Sequence, residues 1–223
     1  ASPSECNIIR TANVSETDEI TIRPVTALDD LYQVETIQQQ AWSMSERDIV
    51  PAHMLVMLNG NGGLVLGAYR PDGVIVGFVY GLLGRLDDAR AEWMETPYYH
   101  MSEMMGVLPG HQGAGLSLRL KLAQREYALR QGHRLMTWTF DPLIARNAHL
   151  NIERLGCVCR RYIRNKYGEL TGINAGLPTD RFEAEWWIAS PRVERRLGVA
   201  GTGGAPHEPV TRQRSRCARA RHT

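Results

Sequence analysis

The stretch Met104–Tyr127, MMGVLPGHQGAGLSLRLKLAQREY, runs from an apolar strand through a glycine-bearing turn into an amphipathic helix. Gly110, Gly113 and Gly115 lie in the turn, with Gln112 and Ala114 between them. Glycine reaches positive φ without a Cβ penalty, so consecutive amides can point into one concavity. At a helix start those amides have no intrahelical partner and the helix dipole adds partial positive charge, which suits a phosphate. The P-loop pattern fails because no Lys-Ser or Lys-Thr follows, and the dinucleotide pattern fails because the glycines are spaced G-x-x-G-x-G. Two readings of the stretch itself remain: a plain strand–turn–helix connection, or a phosphate cradle of another kind.

Upstream, Ile20–Val25 alternates apolar and polar residues as a half-buried strand does. Thr26 and Asp29 are spaced as a capping box for a helix through Trp42, with Leu28, Leu31, Val34, Ile37 and Ala41 at helical spacing. A shorter helix is expected over about Ser45–Leu58, disturbed by Pro51 and closed by Gly60, Gly62 and Gly63. The segments Gly63–Arg70 and Val74–Leu83 flank Pro-Asp-Gly and predict a hairpin. Gly84–Pro97 is charged and irregular, hence a surface loop, and Tyr98–Val107 is the strand that enters the glycine turn.

Downstream, Leu116, Leu120, Ala123 and Tyr127 form one helix face, and Gly132 stops the helix. Arg134–Phe140 reads as a strand and Pro142–Leu155 as an amphipathic helix closed by Gly156. Two last strands follow, Cys157–Tyr162 and one in Arg181–Ser190. The order is strand, two helices, three strands, helix, strand, helix, two strands.

At 223 residues, with 43% apolar and 22% charged residues, one sizeable core is the expectation. The division is a loose N-terminal segment 1–18, one domain over 19–191, and a disordered Arg- and Gly-rich tail 192–223. The net charge of +2 hides an asymmetry: the tail carries eight Arg and two Glu, leaving 18 basic and 22 acidic residues elsewhere. A nucleic-acid-binding body is unsupported; the tail is a solvated segment or an anchor for nucleic acid or anionic lipid. No run of eighteen apolar residues predicts a membrane span, and no basic-then-apolar start predicts export, so the expected location is cytoplasmic. Cys6, Cys157, Cys159 and Cys217 lack zinc or redox spacing, so reduced thiols and no metal are expected.

Gln112, Gly113, Ala114, Gly115, Leu116 and Ser117 behind Val107-Leu108-Pro109 match Q-x-x-G-x-[GA], with Ser117 at the last small position. This resembles the pyrophosphate-binding signature of the GNAT superfamily of acyl-CoA N-acyltransferases, and the element order is similar over roughly residues 20–190. The stretches 138–156, 161–168 and 176–187 resemble a bacterial branch of predicted GNAT acetyltransferases. The resemblance implies a single-domain α/β fold, a mixed, mostly antiparallel sheet with splayed central strands flanked by helices. It implies acetyl-CoA or another acyl-CoA as co-substrate, its pantetheine arm lying like a strand in the opened sheet. Val107 and Leu108 would offer backbone groups to the arm, and Gln112–Ser117 would cradle the pyrophosphate. The acyl group would pass to an amine acceptor by direct attack in a ternary complex.

Glu103 stands where many members of that superfamily place a carboxylate base; strict alternation puts Glu103, Met105 and Val107 on one strand face. The other reading of Glu103 is a salt-bridged or sheet-end carboxylate. His100, on the opposite face, and Asp141, a helix cap before Pro142, are weaker alternatives. The tyrosine that many members use to protonate the leaving thiolate falls on Ile152, and the asparagine that opens that motif falls on Ala145. Asn147 and Asn151, at i and i+4, would meet pantetheine amides or form a solvated face. Water, Tyr162 or Tyr167 would replace the missing acid. Asp180 and Arg181 close a loop or face substrate. The rival to an enzyme is a non-catalytic acyl-CoA-binding or regulatory module.

Overall fold

The computed structural model describes residues 19–87, 92, 94–169 and 175–198. The expected N-terminal segment, the centre of the 84–97 loop and the tail beyond residue 198 lie outside them. Seven strands form one sheet: β1 (Thr21–Pro24), β2 (Leu64–Tyr69), β3 (Ile75–Arg85), β4 (Tyr98–Val107), β5 (Leu135–Phe140), β6 (Val158–Ile163) and β7 (Arg181–Trp187). Their order is β1-β2-β3-β4-β5-β7-β6, antiparallel everywhere except between β4 and β5. The Pro-Asp-Gly hairpin is present between β2 and β3, closed by Arg70 N–H to Val74 O at 2.9 Å and by Val74 N–H to the Asp72 carboxylate at 3.2 Å.

The helices are α1 (Leu28–Trp42), α2 (Ala52–Gly60), α3 (Leu116–Arg130), α4 (Ala145–Ala148) and α5 (Pro191–Leu197). Three of these differ from expectation. The capping box does not form: Ala27 is the N-cap of α1 and no side chain caps it. Pro51 starts α2 rather than disturbing it, because its missing N–H costs nothing ahead of the first turn. The next amide, Ala52 N–H, is taken by the Glu35 carboxylate at 2.5 Å. The helix expected over Pro142–Leu155 is only one α-helical turn, α4, which widens into a π-helix over His149–Arg154. The domain also runs past residue 191, where the tail was expected to begin: Val193 of α5 is 1% exposed and packs in the core.

The core is in three parts. Val34 and Ile37 of α1 and Leu55 of α2 pack with Phe78 and Tyr80 of β3. Leu116 and Leu120 of α3 cover the other face, against Leu66, Val79 and Val107. The third part joins β5 and β7 to α5 through Trp138, Trp186 and Val193, and α3 contributes Ala128, with Leu118 and Leu122 packed against it. Thus α3 presents one flank to each half of the sheet. This matters because β4 and β5 pair only at His100–Met136 and Met101–Thr137. Beyond Met101 the two strands part.

Candidate active site

The parting strands open a cleft of about 550 Å³, bordered by β4, β5, the glycine turn, α3, α4 and the π-helix. Along β4 the ladder to β3 skips one residue: Tyr80 faces Met104 and Gly81 faces Ser102, so Glu103 is the extra residue of a β-bulge. The bulge overturns the expected alternation. Gly81 and Val79 share a face, and so do their partners Ser102 and Met105; Glu103 is outside that alternation. Glu103 is exposed and lines the cleft. Burial, and after it the Glu103 charge, hold the Tyr80 phenol well above its ordinary pKa.

The backbone of β4 supplies the open edge. Leu108 N–H donates to Val76 O at 2.9 Å. In an antiparallel ladder, hydrogen-bonded and non-hydrogen-bonded pairs alternate. The neighbouring pair Gly77–Val107 is therefore non-hydrogen-bonded, as is Val79–Met105 two steps on. The N–H and C=O groups of Val107 and Met105 accordingly point away from β3, towards the gap left by β5. Val107 O accepts from Gln112 Nε2 at 3.1 Å. Leu108 does not offer what was expected of it: its amide goes to Val76, and its carbonyl accepts His111 N–H at 2.9 Å in the short turn Pro109–His111.

At the mouth of the cleft, Gly113 has φ 86° and Gly115, the N-cap of α3, has φ 75°. A Cβ at either position would meet no atom within 4 Å, so the left-handed backbone is what requires glycine there. No side chain caps α3 and its first turn has no acidic residue, which leaves its leading amides available to an anion. Gln112, Gly113, Gly115, Leu116 and Ser117 line the cleft, whereas Ala114 and Leu108 do not. Arg146, which donates to Gln112 Oε1 at 3.4 Å, and Arg154 add cationic side chains to this wall.

Asn147 and the buried Asn151 both line the cleft. The two tyrosines expected to stand in for the missing acid are already partnered. Tyr162 donates to the Asp180 carboxylate, and Tyr167 shares a hydrogen bond of 2.9 Å with Thr139 Oγ1. Asp180 also accepts Asn165 N–H at 2.9 Å, so it closes its loop, while Arg181 donates to the Asp180 main-chain carbonyl at 2.8 Å and lines the cleft. Asp141 lines the cleft too and accepts Leu143 N–H at 2.8 Å, capping a turn.

Behind β4 lies a polar cluster that sequence reasoning missed. Lys121 Nζ donates to Ser102 Oγ at 2.7 Å and stands 3.7 Å from the Trp138 ring centroid. One step along, Gln124 Nε2 lies 3.0 Å from His100 Nε2, while His100 Nδ1 and Gln124 Oε1 are buried with no hydrogen-bond partner. His100 is fully buried behind the strand and does not line the cleft. Desolvation, helped by the Lys121 and His133 charges, drives its pKa down to about 3. A signal for this cluster does exist in the chain: Gln124 falls inside the apolar stripe drawn by Leu116, Leu120 and Ala128, and Lys121 falls at its edge. Among the described residues no three His, Cys, Asp or Glu side chains gather as a metal-ligand set, and no helix is long and apolar enough to cross a membrane.

A mixed sheet that forks between its fourth and fifth strands, above a glycine turn at a helix N-terminus, is the GNAT acetyltransferase fold. Solved structures of that fold are similar to the chain. NAA60 of Arabidopsis thaliana, in complex with acetyl-CoA, aligns over 77% of this chain and 99% of its own with TM-score 0.61 and 16% identity. The protein yncA of Salmonella typhimurium, with its cofactor acetyl-CoA, aligns over 77% and 95% with TM-score 0.57 and 19% identity. An acetyltransferase of the GNAT family from Streptococcus pneumoniae aligns over 75% and 98% with TM-score 0.56 and 16% identity. No protein-family profile and no curated protein matches the chain.

Proposed function

We propose that the chain transfers an acyl group, acetyl in the simplest case, from an acyl-CoA to an amine. The observation that carries this is the free edge of β4: the backbone groups of Met105 and Val107 face an open gap that begins at the uncapped N-terminus of α3. An extended amide-bearing arm satisfies such an edge as another strand would, and a pyrophosphate satisfies the helix end. The acetyl-CoA held by NAA60 and yncA in the same fold supports acyl-CoA as the co-substrate.

In this reading Gln112, Gly113, Gly115, Leu116 and Ser117 hold the pyrophosphate, with Arg146 beside them, and Asn147 meets the arm's amides. An edge N–H of β4 polarises the thioester carbonyl, because an amide aimed at the oxygen stabilises charge that develops there. An alkyl ammonium has a pKa of about 10 and attacks only when neutral, so Glu103 takes its proton, directly or through water. The amine then adds to the thioester carbonyl in the ternary complex and the thiolate departs. The rival, a module that binds acyl-CoA without turnover, is favoured by Ile152, which offers no hydroxyl where a proton donor would stand.

Calorimetric titration of acetyl-CoA, longer acyl-CoAs and free CoA tests the binding claim. Gln112→Ala combined with Gly115→Glu is expected to weaken acetyl-CoA binding at least tenfold; unchanged affinity sinks the reading. Thiol release that rises on adding an amine supports the enzyme, and release indifferent to every amine supports the rival.

A further inference from the structure

The point of the fork is filled by one amine. Met101 and Thr137 are the last paired residues of β4 and β5, so Ser102 and Trp138 are the first residues beyond the pairing. Lys121 reaches up from α3 between them, donating to Ser102 Oγ at 2.7 Å and lying 3.7 Å from the Trp138 ring centroid. Lys121 and Ser102 are each 2% exposed, yet both line the inner wall of the cleft.

The partners of this ammonium are one neutral hydroxyl and one aromatic face. An apolar side chain of similar length fills such a space at lower cost than a buried charge. The titratable groups acting on Lys121 are His100 of β4 and Cys157 before β6; burial keeps the first neutral and the second a thiol. Strand β5 presents Trp138 and has no titratable residue. Desolvation lowers the Lys121 pKa to about 7, so the amine exchanges protons near neutrality.

The fork is also where an arm laid along β4 would end. From Val107 at the mouth to Ser102, four ladder steps along β3 from Gly77 to Gly81, is about 13 Å of strand. An arm fixed by its phosphates at the glycine turn and running inward along that edge brings its thioester end to the fork. Resting on the acyl-transfer reading above, we propose that Lys121 is the proton donor to the departing CoA thiolate. The acceptor nitrogen forms the C–N bond at the thioester carbonyl, the C–S bond breaks with its electron pair going to sulfur, and sulfur takes a proton from the Lys121 ammonium. The acceptor nitrogen releases one proton to Glu103 or water for each proton that sulfur gains, and solvent recharges the amine. Ser102 holds Nζ in place throughout. Transfer is downhill, because an ordinary thiol has a pKa of about 8.5.

The test needs no acceptor. Free CoA bound to the full chain is titrated by its thiolate absorbance, in wild type, Lys121→Met and Lys121→Arg, with melting temperatures recorded alongside. An ammonium beside the sulfur lowers the thiol pKa by about one unit or more. In wild type the thiol is expected to titrate together with Lys121, starting below its ordinary pKa of about 8.5 and spread over a wider pH range than a lone thiol; the coupling is lost in Lys121→Met, while Lys121→Arg, charged throughout, lowers the thiol pKa outright, and Lys121→Met melts no lower than wild type. A bound thiol that titrates alike in wild type and Lys121→Met overturns the donor role and leaves the acyl-CoA reading standing; CoA that does not bind wild type overturns both. An acetyl group found on Lys121 by peptide mapping after incubation with acetyl-CoA also overturns it, since an amide nitrogen gives up no proton to sulfur.

Discussion

His100 illustrates how burial, with neighbouring cationic groups adding to it, converts a side chain into a pH-dependent liability. Its ring is fully buried, one nitrogen meets Gln124 and the other meets nothing, and its folded pKa is about 3 against an ordinary value near 6.5. Between those limits the unfolded chain binds a proton at this position that the folded chain does not. Stability therefore rises with pH through the window, or equivalently is lost as pH falls from about 6.5 towards 3, with a slope of up to about 1.4 kcal/mol per pH unit from this group. His133, whose pKa burial also lowers, acts in the same direction. His100→Gln keeps a polar partner for Gln124 and cannot titrate. Denaturant melts from pH 4 to 7 are expected to give a shallower dependence for the variant; parallel curves would show that His100 is not the source.

At the scale of elements, the bulge in β4 is the device to test. Every other residue of β4 from Tyr98 to Val107 has a cross-strand partner, and only Glu103 is passed over. Deleting Glu103 leaves every one of those pairings in place, so the deletion variant is expected to fold cooperatively, with its near-UV spectrum retained. Deleting Met101 instead lets the bulge close with Ser102 opposite Leu82 and Glu103 opposite Gly81, which takes Ser102 off the α3 face and puts a carboxylate in its place, and that variant is expected to melt below the Glu103 deletion. If the Glu103 deletion unfolds and the Met101 deletion does not, the bulge has been misplaced. The bulge shows why Glu103 was legible as a candidate while its direction was not. A carboxylate four residues before Val107 is what the resemblance to the GNAT superfamily picks out, whereas facing requires the partner strand. The same holds for residues 142–155, where an apolar period near 3.6 describes an α-helix and does not distinguish a π turn.

For the molecule as a whole, the consequential feature is that the two halves of the sheet share only two residue pairs at the fork. Continuity comes from α3, whose Leu116 and Leu120 pack on the β1–β4 half and whose Leu122 and Ala128 pack on the β5–β7 half. In that second half Trp186 is fully buried, donates Nε1–H to Leu155 O at 2.8 Å, and meets Trp138 edge-on at 6.0 Å. Trp186→Ala is expected to cost about 3–5 kcal/mol. Because the fork is a weak seam, the added opening should appear first in hydrogen exchange of β5, β6 and β7, with β2 and β3 less affected. Uniform acceleration across the sheet would mean that the halves open as one.

Local chemistry determined much of this protein from sequence alone. The hairpin at Pro-Asp-Gly, the succession of strands and helices along the chain, and the glycine turn ahead of α3 were all readable, because turns, φ preferences and short-range periodicity act within a few residues. The Gln112–Ser117 turn could be named for the same reason, while Glu103 was named through the resemblance to the GNAT superfamily. Only the tertiary structure decided that Leu108 spends its amide on Val76, that Tyr162 is engaged by Asp180, and that Lys121 stands at the fork between Ser102 and Trp138. Those outcomes depend on strand register and depth of burial, which arise when segments distant in the chain compete for the same partners and the same dry space.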